Sequence, residues 1–164
     1  MTKKAKKKKG KEAEPEKEEY CLRGDSPVQD APSIGPKTAK RFHAIGIRTI
    51  SDLLALSPAT AAVLLNTRFI TSVDVSDWQA EAMLACTLPN LKSREAQALV
   101  ACGLADIEAI AEANPKALAE GLRVWATSSE GQRAWGKVEP GLDDAVALIE
   151  RAKRALAMRA KAPA

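Results

Sequence analysis

An all-α fold is what this sequence predicts, and three observations carry the expectation. Hydrophobic residues make up 46% of the 164, yet aromatics only 4%. Alanine, leucine and short aliphatics must therefore fill the interior, which suits packed helices better than sheets. Helix-start signals recur along the chain, with no alternating apolar and polar run of useful length between them. Finally, the chain repeats itself without a gap at an offset of 57 residues, each copy reading as two short helices.

Element by element, residues 1–19 hold eight lysines and five glutamates and no large apolar residue apart from the initial Met1. Such a segment cannot repay the entropy of ordering and is expected to be a disordered basic arm, with residues 20–30 as a linker. Pro36 sits at a first helical position, and Gly46 ends that helix where positive φ is tolerated. Thr49 and Asp52 form a capping pair for a second helix. Ser57-Pro58 opens a third, Ser76 a fourth through Trp78, Met83 and Leu84, Asp106 another, and Asn114-Pro115 the next. A last helix is expected from about Leu142 to Arg159, with an apolar stripe at Leu142, Val146, Ile149 and Leu156. Four regions follow: an arm and linker over 1–30, a first repeat over 31–66, a connecting tryptophan helix over 67–87, and a second repeat with C-terminal helices over 88–161.

The repeat aligns Pro32–Pro58 with Pro89–Pro115. Pro32 matches Pro89, Ala39 matches Ala96, Gly46 matches Gly103, Ile50 matches Ile107 and Pro58 matches Pro115, while Phe42 pairs with Leu99 and Leu53 with Ile110. The run Pro32-Ser33-Ile34-Gly35-Pro36-Lys37-Thr38-Ala39, followed by Gly46-Ile47, resembles a helix-hairpin-helix element, in which a Gly-apolar-Gly hairpin precedes a helix ended by Gly-Ile. Ser33 stands at the first glycine of that pattern and Gly35 at the second. The second copy, Pro89-Asn90-Leu91-Lys92, lacks both. The tandem with its intervening tryptophan helix, roughly Ser26–Ala155, resembles the bacterial domain-of-unknown-function family 4332.

The helix-hairpin-helix resemblance implies recognition of a DNA backbone. Main-chain N–H groups at a helix N-terminus meet a phosphate, and the helix dipole favours the anion. Carried onto this chain, the nucleic-acid-binding residues are Ser33, Ile34, Gly35, Lys37, Thr38, Lys40, Arg41 and Arg48. Charge separates the copies: residues 31–58 carry four bases and one acid, residues 88–115 two bases and four acids. The first copy is therefore the expected phosphate site, and the second a brace or a protein-binding surface. Binding to DNA should be indifferent to sequence, because phosphates carry no base identity. The competing expectation is a protein-interaction or scaffold module, since residues 20–164 have only 17 bases against 16 acids.

Enzymatic chemistry has no inventory to rest on. His43 is the one histidine, and no motif places a nucleophile or carboxylate beside it. Three cysteines without a CxxC pair argue against a zinc site or a disulfide framework, so neither catalytic residues, metal nor other cofactor is expected. Trp78, Trp125 and Trp135 read as core anchors, and the basic run from Arg151 to Lys161 as a favourable helix C-terminus. No apolar stretch reaches the ~18 residues of a membrane span, and the lysine-rich start lacks the pattern of a secretory signal, so a cytoplasmic protein without membrane contact is expected.

Overall fold

A computed structural model of the chain describes residues 19–162. The lysine-rich stretch up to residue 18, where the disordered arm is expected, lies outside them. Among the described residues there are nine α-helices and no strand: α1 Pro36–Ala44, α2 Ile50–Ala55, α3 Pro58–Leu65, α4 Ser72–Thr87, α5 Ser93–Ala101, α6 Ile107–Ala111, α7 Pro115–Thr127, α8 Ser129–Trp135 and α9 Leu142–Lys161. A 3-10 turn, Val28–Asp30, precedes them.

Most helices start where a short polar side chain can hold an orphan amide. Thr49 Oγ1 accepts from the Asp52 N–H while Asp52 Oδ2 accepts from the Thr49 N–H, closing a capping box. Ser57, Asp106, Asn114 and Ser128 cap α3, α6, α7 and α8 in the simpler way. α4 begins four residues before the Ser76 start expected for it, because Thr71 and Asp74 form a second capping box upstream. α8 is a helix that the sequence did not announce; its seven residues are bounded by Ser128 and Gly136, too short for a period to show.

The two matched segments share backbone geometry as well as residues. Ser33 and Asn90, 57 apart, both adopt left-handed φ, 66° and 57°, and Gly46 and Gly103 both turn the chain at φ 85° and 82°. The Ile47 N–H donates to Phe42 O at 2.9 Å, and the Leu104 N–H to Leu99 O at 2.9 Å. The pairs Ala39 and Ala96, Phe42 and Leu99, Ile50 and Ile107, and Leu53 and Ile110 are all buried. Non-glycine residues in the left-handed region cost about 1–2 kcal/mol each, so the same strain recurring at the same place in both copies marks a shared turn.

Each copy has its own core, and α4 serves both. Val75, Ala82 and Ala85 pack with Phe42, Ile50 and Leu53; Leu84 packs with Leu99, Ile107 and Ile110. α9 closes the second core against α6 and α7. Its buried face is Ala145, Leu148, Ile149, Ala152 and Ala155, whereas Leu142 and Val146 of the expected stripe are exposed. Ile149 and the half-buried Leu156 belong to the expected stripe and do pack, and the three alanines leave room for neighbouring helices to approach. The stretch read as a linker is also packed. Leu22 and Val28 are buried, the Val28 N–H donates to Arg48 O, and the Ile50 N–H to Ser26 O. Glu19 and Asn90 exchange hydrogen bonds between the start of the described chain and the second copy.

Candidate nucleic-acid interface

The start of α1 carries an open set of backbone donors. Pro36 has no N–H, and Gly35, the residue before the helix, makes no side-chain cap. The N–H groups of Gly35, Lys37 and Thr38 have no partner among the described residues, as the geometry of a first turn requires when nothing caps it. Gly35 is extended, with φ −86° and ψ 179°, and a Cβ built on it meets nothing within 4 Å. Its value at this place is free space above the amides; the left-handed residue of the turn before α1 is Ser33.

Successive helical residues turn by about 100°, so Lys37, Lys40 and Arg41 fall within a ~100° arc on the side of α1 opposite Ala39 and Phe42. All three are exposed, and none is in an ion pair among the described residues. The remaining residues of the expected set stand elsewhere. Ile34 is buried and its N–H donates to Ala31 O. Ser33 accepts a 2.9 Å hydrogen bond from Gln97 Nε2 of α5. Arg48 follows the far end of α1, about 13 Å of helix axis from Gly35. Its N–H donates to Asp52, whose carboxyl is held below the usual carboxylate range by that bond and the one from Thr49.

The second copy shows what occupies this position when it is used internally. The Lys92 N–H, at the place of Gly35, donates to Glu95 Oε2 at 3.0 Å. Glu95, at the place of Thr38, is paired with Arg151 at 3.2 Å, and Arg151 also donates to Pro89 O. Arg94, at the place of Lys37, stacks its guanidinium 4.8 Å over the Trp135 ring. An internal carboxylate thus sits on the Lys92 amide at the start of α5, and the cation at the place of Lys37 is spent on Trp135 of α8. The basic run of α9 is likewise engaged, with Arg159 on Glu108 and Lys153 on Glu150.

Ser33 also borders a second feature. A cleft of about 600 Å³ between α4, α5, α7 and α8 is bordered by Asp77, Trp78, Glu81, Trp125, Glu130 and Arg133. Trp78 and Trp125 are half-buried; Trp78 rests edge-on against Phe42 with centroids 6.0 Å apart. Glu81 is only 6% exposed, and its Oε2 has no hydrogen-bond partner. Among the described residues no cluster of three or more histidine, cysteine or acidic side chains is arranged to hold a metal ion, and no helix is long and apolar enough to cross a membrane. His43, Cys86 and Cys102 are half-buried, and Cys21 donates to Leu91 O.

The family model described as a domain of unknown function, DUF4332, matches residues 32–155. The chain belongs to that family. No curated protein and no solved structure matches it. The DUF4332 match starts at Pro32, so Leu22 and Val28 pack into the domain from outside the matched residues. Both repeat copies, the cleft and most of α9 lie inside it.

Burial, with the charges of Asp77 and Glu130 behind it, pushes the Glu81 carboxyl up to about 7, while the nearby Ser33 hydroxyl pulls the other way. Asp74 and Arg133 also face the cleft. A carboxyl whose folded value is raised binds its proton more tightly in the folded state. Its contribution is greatest below the unfolded value near 4.5 and is lost as pH rises through 7. The full difference is worth about 3 kcal/mol. Urea midpoints of the native chain should therefore fall between about pH 5 and pH 8, and those of Glu81→Gln should fall much less. Equal slopes for both proteins would show that Glu81 does not titrate on folding.

Proposed function

We propose that this DUF4332 chain binds nucleic acid, DNA in the first instance, without sequence preference and without catalysis, using the turn before α1 as a helix-hairpin-helix phosphate site. The observation that carries the reading is the contrast between the copies. Glu95 places a carboxylate on the Lys92 N–H at the start of α5, whereas the matching Gly35 N–H is open, together with those of Lys37 and Thr38, near the exposed Lys37, Lys40 and Arg41. A phosphate there would satisfy the Gly35 N–H as Glu95 satisfies the Lys92 N–H in the second copy, and would meet the Lys37 and Thr38 amides as well. The proposed contacts are Gly35, Lys37, Thr38, Lys40 and Arg41; Ile34 contributes by holding the turn to the core, and Arg48 lies beyond the far end of α1, away from these amides.

Because the folded part is nearly neutral, affinity should be modest and sensitive to salt, with each phosphate contact adding about 0.9 to the slope of log K against log salt. Fluorescence anisotropy with several scrambled duplexes at two salt concentrations tests this. Affinities within about three-fold of one another and a negative salt slope are expected. Removing residues 2–18 should flatten the slope and leave the helical circular dichroism unchanged, the cut sparing Glu19 and its bonds to Asn90. A strong preference for one duplex would refute backbone contact. A protein partner is the second reading, favoured by the exposed Val63, Leu64, Phe69 and Val73 around the junction of α3 and α4.

A further inference from the structure

The cleft beside Ser33 combines three properties that are costly together unless something fills it. Four carboxylates border it, Asp74, Asp77, Glu81 and Glu130, against a single guanidinium, Arg133. None of the four is in an ion pair among the described residues. Asp74 is partly used, since it accepts the Thr71 N–H and hydroxyl. Glu81 is the one buried residue among those bordering the cleft, so it forms the floor, and its Oε2 is unpartnered. The walls are aromatic: Trp78 from α4, Trp125 from α7, and Phe69, which is 87% exposed at the rim.

An unpaired buried carboxylate is avoided in folded proteins, which either neutralise it or pair it. Aromatic faces together with a carboxylate attract cations, and favour soft organic cations over hydrated metal ions. The lack of any close group of three metal-ligating side chains among the described residues points the same way. We infer that this cleft recognises an organic cation, the guanidinium or alkylammonium head of an arginine or lysine side chain, with the indoles of Trp78 and Trp125 as walls and the Glu81 carboxylate as counter-ion. In the unliganded chain the proton on Glu81 does the neutralising near neutral pH, burial having raised its affinity for that proton. The cation replaces that proton, so binding releases it and tightens as pH rises. The inference is independent of the phosphate reading, because Lys37, Lys40 and Arg41 do not border the cleft.

The test uses the full chain labelled with 15N and follows the three indole N–H resonances. N-acetylarginine amide and N-acetyllysine amide are the probes, and N-acetylcitrulline amide is the neutral isostere. Saturable shifts at Trp78 and Trp125 are expected with the two cations and not with citrulline. Trp135, which stacks on Arg94 and does not border the cleft, should move little. Glu81→Gln should weaken binding by roughly ten-fold or more, as expected for a buried charge partner. Asp77→Asn, at an exposed position and so safe for folding, should weaken it by about two- to five-fold. Equal shifts with citrulline, the absence of saturation, or unchanged affinity in both variants would overturn the inference. The seven lysines between Lys3 and Lys11 offer the same chemistry within the chain. A chain with those lysines changed to glutamine separates the sources. Tighter arginine binding than in the unmodified chain means that the chain's own lysines fill the cleft; equal affinity means that the cation comes from another molecule.

Discussion

Gly131→Ala is expected to destabilise the chain by about 3 kcal/mol, although an alanine inside a helix ordinarily stabilises it by up to ~1 kcal/mol. Gly131 is buried in the first turn of α8, where its N–H donates to the Ser128 Oγ that caps the helix. A Cβ there would stand 2.0 Å from Trp125 O and 2.6 Å from Ala126 Cα. Both are backbone atoms of the last turn of α7, so neither can rotate aside, and α8 must move away from α7. That movement would withdraw Trp135 from its buried place under Arg94 and shift Glu130 and Arg133 at the cleft. Denaturant midpoints with tryptophan emission as the probe measure the effect. A midpoint at or above that of the native chain would mean that the turn between α7 and α8 is looser than its contacts indicate.

The parts of the fold that were legible in the sequence are those set by local chemistry. Pro36, Pro58 and Pro115 at helix starts, the Thr49 and Asp52 box, and the glycines at 46 and 103 all act within a few residues of themselves, and the 57-residue offset showed that the same local rules operate twice. What could not be read depends on distant partners. Leu22 and Val28 have no helical spacing, and only the folded chain shows that both fill the first core. In α9 the large residues Leu142 and Val146 drew the stripe, yet the face that meets α6 and α7 runs through Ala145, Leu148, Ala152 and Ala155 and shares only Ile149 and the half-buried Leu156 with it. Helix α8 packs on α7 through Gly131 and under Arg94 through Trp135, contacts that no periodicity signals.

The two sites differ in the same way. At the start of α1, Gly35, Lys37, Lys40 and Arg41 lie within seven residues, so their common location could be read from spacing. Ser33 could not be separated from Gly35 by that route, because the motif wants glycine at both, and the backbone reserves the left-handed angle for Ser33 alone. The open state of the Gly35 amide became visible only beside Glu95, which closes that of Lys92. The cleft is drawn from α4, α5, α7 and α8, and nothing in the spacing of Trp78, Glu81, Trp125 and Glu130 brings them together. Reading Trp78 and Trp125 as core anchors was half the answer: each is half-buried, with the rest of the indole at the cleft.

Gly35→Glu should reduce DNA affinity by roughly ten- to a hundred-fold, the cost of about 1.5–3 kcal/mol for losing a set of charge-assisted amide contacts. The backbone at Gly35 suits any residue and the space above it is empty, so the variant should fold as the native chain does. Lys92→Glu makes a larger change of charge at the matching place of the second copy, where Glu95 already holds the amide. It should cost only about two-fold, through net charge and salt. Thr38→Glu adds a sharper comparison, because Thr38 stands where Glu95 stands in the second copy. A carboxylate there should reach back to the Gly35 N–H and close the capping interaction that α1 lacks, raising stability by about 0.5–1 kcal/mol. The same carboxylate occupies the place of the phosphate, so DNA affinity should fall while the melting temperature rises. A purely structural turn would show the gain in stability with no change in affinity, and that result, with both hairpin variants folded and binding as before, would remove the first hairpin from the interface.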